Sequence, residues 1–303
     1  MKKYIFHILF VLTFVYSGCD KPGPTELVDD PYESDNLNVE IISKDIDNEF
    51  YSNGFDTSGV IEGVQNYASI ISVSGIKLTR DGRTDNISIA QTYLFDRTKP
   101  FRSPRGIIIG YNTITPGIIK FNDVTARLAN YRVRYREAGV LIDTVLGKKY
   151  ELFNLNGGGI SDPFIFPYNS VISFLYNPFI GTSSGFDIVT PKEITGNVRL
   201  ISTPGQNKLR AELTWQGENV NNFSIIVGGV KNSNQQVFPF FRIKTKDDGS
   251  IVIPNSILKN IPRDRFNKIS ISFVRKYDKL AQVQNTELYV SSQSIHTIIV
   301  EIP

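Results

Sequence analysis

Residues 208–215 read KLRAELTW, and their alternation decides the fold. Leu209, Ala211, Leu213 and Trp215 fall on one side of an extended chain and Lys208, Arg210, Glu212 and Thr214 on the other, because successive side chains of a strand point to opposite faces. The expectation is a half-buried strand with Trp215, the one tryptophan of the chain, plugging a core. The same two-residue period spreads outward. Upstream it gives NISIAQTYLF (86–95), GIIIGY (106–111), TARLANYRVRYRE (125–137) and KKYELFNL (148–155). Around the first stretch it gives VRLIST (198–203), NFSIIVGGV (222–230), QQVFPFFRIKT (235–245), SIVIP (250–254), NKISISFVRKY (267–277) and IHTIIVEIP (295–303). β-branched and aromatic residues fill these runs, as a pleated, half-buried surface demands. Against them stands one short helical candidate, Ser256 to Asn260 within IPNSILKNIP (253–262), closed in by prolines. Short strands separated by turn signals predict an all-β fold built of sandwiches.

A length of 303 residues suits two domains better than one. The segment PKEITGN (191–197) carries Pro, Gly and Asn and reads as a hinge. Two tandem β-sandwich domains are therefore expected, residues 37–192 and 193–303, with seven strand candidates in the second. The Leu213-Thr214-Trp215 triplet resembles the L-x-W pattern of immunoglobulin-like and fibronectin type III sandwiches, which implies an immunoglobulin-like C-terminal module.

The N-terminus supplies an address. Lys2 and Lys3 precede a mostly apolar run from Tyr4 to Tyr16. That run is too short for a bilayer of ~30 Å, which needs about 20 residues, and it reads as a secretory signal over residues 1–18. It ends in Tyr16-Ser17-Gly18-Cys19, with small residues before the only cysteine of the chain. This resembles the lipobox of bacterial lipoproteins, with Tyr16 where Leu or Val is usual, and implies lipidation of Cys19 and an anchor in the membrane. Residues 20–36 follow as DKPGPTELVDDPYESDN, whose three prolines and six acidic residues read as a solvated tether. An acidic stretch there resembles the surface-export signal of Bacteroidetes-type lipoproteins, whereas Asp20 directly after the cysteine resembles an enterobacterial inner-membrane retention signal. The expected address is thus the cell envelope, lipid-anchored, with the first analogy implying the outer membrane, on its periplasmic or surface face. The layout of KFNDVTARLANY, LGKKYELFNLNGGG, the LTW strand and GSIVIPNSILKNIP is also similar to two-domain Bacteroidetes-type β-sandwich lipoproteins, which implies a fold and a location without an activity.

Composition narrows function further. With one Cys and two His, one of them in the segment expected to be removed, a zinc site, a disulfide and Cys–His or Ser–His–Asp nucleophile systems are nearly excluded. No cofactor is expected. Removing Lys2 and Lys3 lowers the formal charge from +3 to +1, so no overall field draws the protein to nucleic acid.

Several local patterns are candidates for contact. Arg132, Arg134 and Arg136 alternate with Tyr131, Val133 and Tyr135, so all three arginines share one strand face. Together with Arg97, Lys99, Arg102 and Arg105 in a Pro-containing loop they could meet an anionic polysaccharide or lipid headgroup, or simply discourage edge-to-edge pairing. Phe164, Phe166, Tyr168, Phe174, Tyr176, Phe179 and Phe186 crowd one region, and exposed members could stack on sugar rings while buried ones would line a core. Asp45, Asp47, Asn48 and Glu49 offer oxygens for Ca²⁺ without the glycine and spacing of a calcium loop, and a solvated loop is the favoured reading. Asn156-Gly157-Gly158-Gly159 and Asp247-Asp248-Gly249 read as turns, and His296 as an ordinary strand residue. The functional expectation is a lipid-anchored, non-catalytic binding or adhesion and assembly module that meets a protein or glycan; the alternative is a carbohydrate-binding protein or a glycosidase working with a carboxylate pair.

Overall fold

The computed structural model describes residues 37–41, 69–106, 108–137, 140–155, 161–203, 208–231, 237–283 and 286–303. Cys19, the acidic tether, the 45–49 cluster and the glycine run at 156–159 lie outside them. Leu37–Pro303 form one compact unit.

The fold is all-β, as expected. In chain order the strands are β1 (Asn38–Ile41), β2 (Ser69–Arg80), β3 (Arg83–Arg102), β4 (Ile108–Thr113), β5 (Gly117–Phe121), β6 (Val124–Thr125), β7 (Arg127–Glu137), β8 (Val140–Leu155) and β9 (Val171–Pro178). They continue with β10 (Ser184–Val189), β11 (Gly196–Thr203), β12 (Lys208–Trp215), β13 (Phe223–Lys231), β14 (Val237–Lys244), β15 (Ser250–Ile253), β16 (Phe266–Val283) and β17 (Thr286–Glu301). One helical turn, α1 (Asn255–Leu258), sits where the proline-bounded segment predicted it. The seven strand candidates of the C-terminal half are β11 to β17. Asp81 and Gly82 both adopt positive φ, 50° and 76°, closing β2 onto β3 with a two-residue turn that follows the twist of its strands.

The strands build three sheets. The largest has ten strands in the order β1-β14-β13-β16-β17-β2-β3-β8-β7, with β4 paired to the outer part of β3. A four-stranded sheet runs β10-β9-β5-β6 and a three-stranded one β11-β12-β15. β17 pairs in parallel with β2 from Leu288↔Ser69 to Ile299↔Arg80. Strands from both halves of the chain thus belong to one sheet.

Both small sheets pack on the same face of the large one. Ile269, Ile271 and Phe273 of β16 enter one core, Ala281 and Val283 of the same strand another. All five are odd-numbered, and the β16–β17 register runs unbroken from Lys268↔Glu301 to Val283↔Thr286, so they share a face. The first core joins this face to Leu209, Ala211, Leu213 and Trp215 of β12, on the side their alternation predicted. The second joins it to Ile119 and Phe121 of β5, Ile172 and Phe174 of β9, and Phe164 and Phe166. The opposite face of the large sheet mixes Ile76, Ile226, Val274 and Ile295 with buried Ser72, Ser74, Ser291 and Gln293. There Ser74 Oγ donates to Gln293 Oε1 at 3.3 Å, and Gln293 Nε2 donates to Ser291 Oγ at 2.9 Å.

Candidate functional site

The aromatic cluster divides by burial. Phe164, Phe166 and Phe174 are buried, and Tyr168, Tyr176 and Phe186 pack half-buried against the same core. Edge-on contacts order them: Phe121 meets Phe174 with centroids 5.5 Å apart and Phe166 meets Tyr168 at 5.1 Å. Phe179 is the exception at 72% exposed, and its neighbour Ile180 is 93% exposed. Both occupy the loop between β9 and β10, where Gly181 takes a φ of 114° that favours glycine. The loop is fixed to the chain entering β5, since the Phe179 N–H donates to the Pro116 carbonyl at 2.9 Å. On that neighbouring segment Ile114 and Ile118 are also exposed. Phe179 and Ile180 are thus exposed apolar residues on an ordered turn, with Ile118 exposed on β5 and Ile114 in the connection before it. Sequence places Phe179 among the seven clustered aromatics as a candidate for ligand contact; Ile180 it passes over, because no periodic pattern marks a loop tip.

The arginine face is only partly brought into view. Arg132 is exposed on β7, and its Nε donates to Asp143 Oδ1 at 3.0 Å. Arg134 and Arg136 follow at alternate positions of the strand, opposite Asp143 and Leu141; their side chains lie outside the described ones. The segment expected as a basic loop is instead a hairpin. Arg97, Lys99 and Arg102 lie on β3, which pairs with β4 through two irregularities, and Arg105 stands in the turn between them. Lys99 pairs with Asp96 at 3.2 Å, and Arg102 donates to the Gly106 carbonyl at 2.8 Å. Period-two reading stopped at residue 95 because Asp96, Arg97, Thr98, Lys99 and Pro100 break the alternation, yet a hydrogen-bonded partner extends the strand regardless.

Two buried polar assemblies escaped the sequence reading. Arg275 of β16 and Asp247 are 0% and 1% exposed. Arg275 Nε donates to Asp247 Oδ2 at 2.7 Å and its outer nitrogen to Oδ1 at 3.1 Å, while the Trp215 indole N–H donates to Oδ1 at 2.7 Å. The guanidinium also reaches the carbonyls of Glu193, at 3.2 Å, and Gln216. Asp247 heads the expected turn, and Gly249 there has a φ of 105°; the buried carboxylate was the unseen part. A signal existed. Ile269, Ile271, Phe273 and Arg275 fall at one period, so the alternation itself aims Arg275 inward, where a charge needs a partner.

The second assembly lies on the large sheet's opposite face. Glu151 of β8 accepts from Lys149 at 2.7 Å, from Gln91 at 3.0 Å and from Arg127 at 2.7 Å. Burial pushes its carboxyl up, but the charges and hydrogen bonds of Lys149, Gln91 and Arg127 outweigh that and hold it below the usual range. Arg127 also meets Asp162 at 3.4 Å, and Asp162 accepts the Phe153 N–H at 2.7 Å. These contacts tie β3, β7, β8 and the strip after β8 together.

Among the described residues no three His, Cys, Asp or Glu side chains are grouped to hold a metal ion, and no helix is long and apolar enough to cross a membrane. Compared with known proteins, the chain matches no family model, no curated protein and no solved structure.

Proposed function

We propose that the protein is a lipid-anchored component of a bacterial cell envelope, attached through Cys19, that works by contact with a protein partner rather than by catalysis. The observation that carries this reading is the apolar tip of Phe179 and Ile180, exposed side by side on a turn pinned by the Pro116 carbonyl. Apolar side chains raised on an ordered loop desolvate on contact at small entropic cost, and large aromatics dominate such interfaces. The lipobox-like end at Cys19 and the acidic, proline-containing stretch after it support the envelope address.

The test has two parts. Wild-type protein takes up radiolabelled palmitate and stays with the membrane fraction, whereas Cys19→Ala does neither; absence of label from wild type removes the address. A photo-crosslinking residue at position 180 captures a defined envelope protein in intact cells, and Phe179→Asp abolishes that capture. Crosslinking that is unchanged by Phe179→Asp removes the contact role.

The carbohydrate alternative retains one supporting observation, the exposed ring of Phe179, since the other aromatics of its cluster pack into or against the core. A glycan that protects this ring in saturation-transfer measurements, with no protein captured at position 180, would favour it.

A further inference from the structure

Residues 191–197, read from sequence as a hinge, are stitched down. The strip leaves β10 and crosses to β11, connecting the two small sheets. Its Ile194 N–H donates to Ser294 Oγ at 2.9 Å and its Gly196 N–H donates to His296 Nδ1 at 2.9 Å, both on β17. Glu193 pairs with Lys77 of β2 at 2.9 Å, and the same amine donates to Thr195 Oγ1 at 3.3 Å. Ile194 is fully buried, and a Cβ on Gly196 would lie 2.5 Å from the Phe273 ring, so the chain passes as close as glycine allows.

His296 fixes the chemistry of this seam. A backbone N–H can only donate, so Nδ1 must carry a lone pair; the ring proton therefore sits on Nε2 and is donated to Thr79 Oγ1 at 3.0 Å. Thr79 in turn meets Thr84 of β3 at 2.9 Å. Phe273 lies alongside the ring, centroids 6.4 Å apart. The charged groups facing it are Lys77 and Glu193; Arg275 lies two register pairs along β16, paired with Asp247 and donating to the Glu193 carbonyl at 3.2 Å. A second ring proton would point an N–H at an N–H and place charge beside Lys77.

We propose that Thr195 and Gly196 form an acid-released clasp: neutral His296 holds Gly196 to the large sheet, and protonation of its ring frees this end of the strip while Ile194 and both cores stay packed. Burial first, and then the charge of Lys77, push the folded-state pKa of His296 down to about 4, with Glu193 opposing. The sign follows. The released state, near the ordinary value of about 6.5, binds the proton more readily than the clasped one, so opening becomes easier as pH falls from 6.5 towards 4.

With residues 1–18 removed, His296 is the one histidine of the chain, so its ring can be followed by NMR without overlap. Amide exchange, corrected for its intrinsic pH dependence, should show opening at Gly196 rising about thirty-fold between pH 7.5 and pH 5, while the core amide of Ile225 stays protected. His296→Asn keeps an acceptor for Gly196 but cannot titrate, and should flatten the rise; Lys77→Met, which removes a charge that lowers the clasped-state value, should make it smaller. The proposal is overturned if the wild-type ring titrates without a rise at Gly196, or if Gly196 and Ile225 open together. Both readings come from wild type and stand even if a variant fails to fold.

Discussion

The two cores of this protein are unequal in what they own. The C-terminal core is assembled from β11 to β17 and α1, with Leu37 and Val39 packed at its rim. The N-terminal core borrows: beside residues of β2, β3, β5, β8, β9 and β10 it needs Val283, Leu288 and Val290, which belong to the far ends of β16 and β17. One long hairpin therefore serves both, filling the C-terminal core near Phe273 and Ile298 and the N-terminal core near its turn. The lesson is directional. Damage to the C-terminal core should spread to the other, whereas damage to the N-terminal core should stay where it is.

The largest effect is expected from Asp247→Ala. It leaves the Arg275 guanidinium and the Trp215 indole N–H buried without their shared acceptor, and breaking one partner of a buried pair costs about 3–5 kcal/mol. Unfolding followed by Trp215 fluorescence and by far-ultraviolet circular dichroism should shift together, with no separate N-terminal transition. A surviving N-terminal transition would mean that its core does not need β16 and β17.

Phe174→Ala tests the opposite direction. Phe174 is buried against Phe121 and Phe186 at 5.5 and 5.0 Å, and its removal should cost about 3 kcal/mol or more, from lost transfer energy and residual cavity. Here the spectroscopic probes should part: part of the β signal melts early while Trp215 emission stays blue-shifted. Coincident transitions would erase the asymmetry.

Much of this was legible. The alternation of Leu209, Ala211, Leu213 and Trp215 named the buried face of β12, and each of the seven C-terminal strand candidates is a strand. Period two tells which face a residue takes but not which strand lies beside it. The β17–β2 ladder joins residues more than two hundred positions apart, and nothing local announces it. β2, β13 and β16 are buried on both faces along much of their length, which blurs the alternation further. PKEITGN looked like a hinge because Pro and Gly punctuate chains. In the fold Gly196 answers a different demand, close passage over Phe273. The aromatic cluster was readable as a run of rings, but which of them stay exposed, as Phe179 does, is set by tertiary packing, and Phe164, Phe166 and Phe174 went inward.

The smallest effect is expected at the arginine face. Arg132→Ala removes an exposed pair with Asp143 on β7, at the outer edge of the large sheet, and should cost less than about 1 kcal/mol in either core. Thermal unfolding should be nearly unchanged. A loss as large as that of Phe174→Ala would mean that β7 contributes to the N-terminal core in a way the packing does not account for.

The most direct measurement is made on separated halves. Residues 193–303, produced alone, should give a β-type circular dichroism spectrum, a single cooperative thermal transition and blue-shifted Trp215 emission, since their core is nearly complete. Residues 37–192, produced alone, should lack a cooperative transition and gain one when the C-terminal half is added. Two halves that each fold separately, with transitions unchanged on mixing, would contradict the shared sheet.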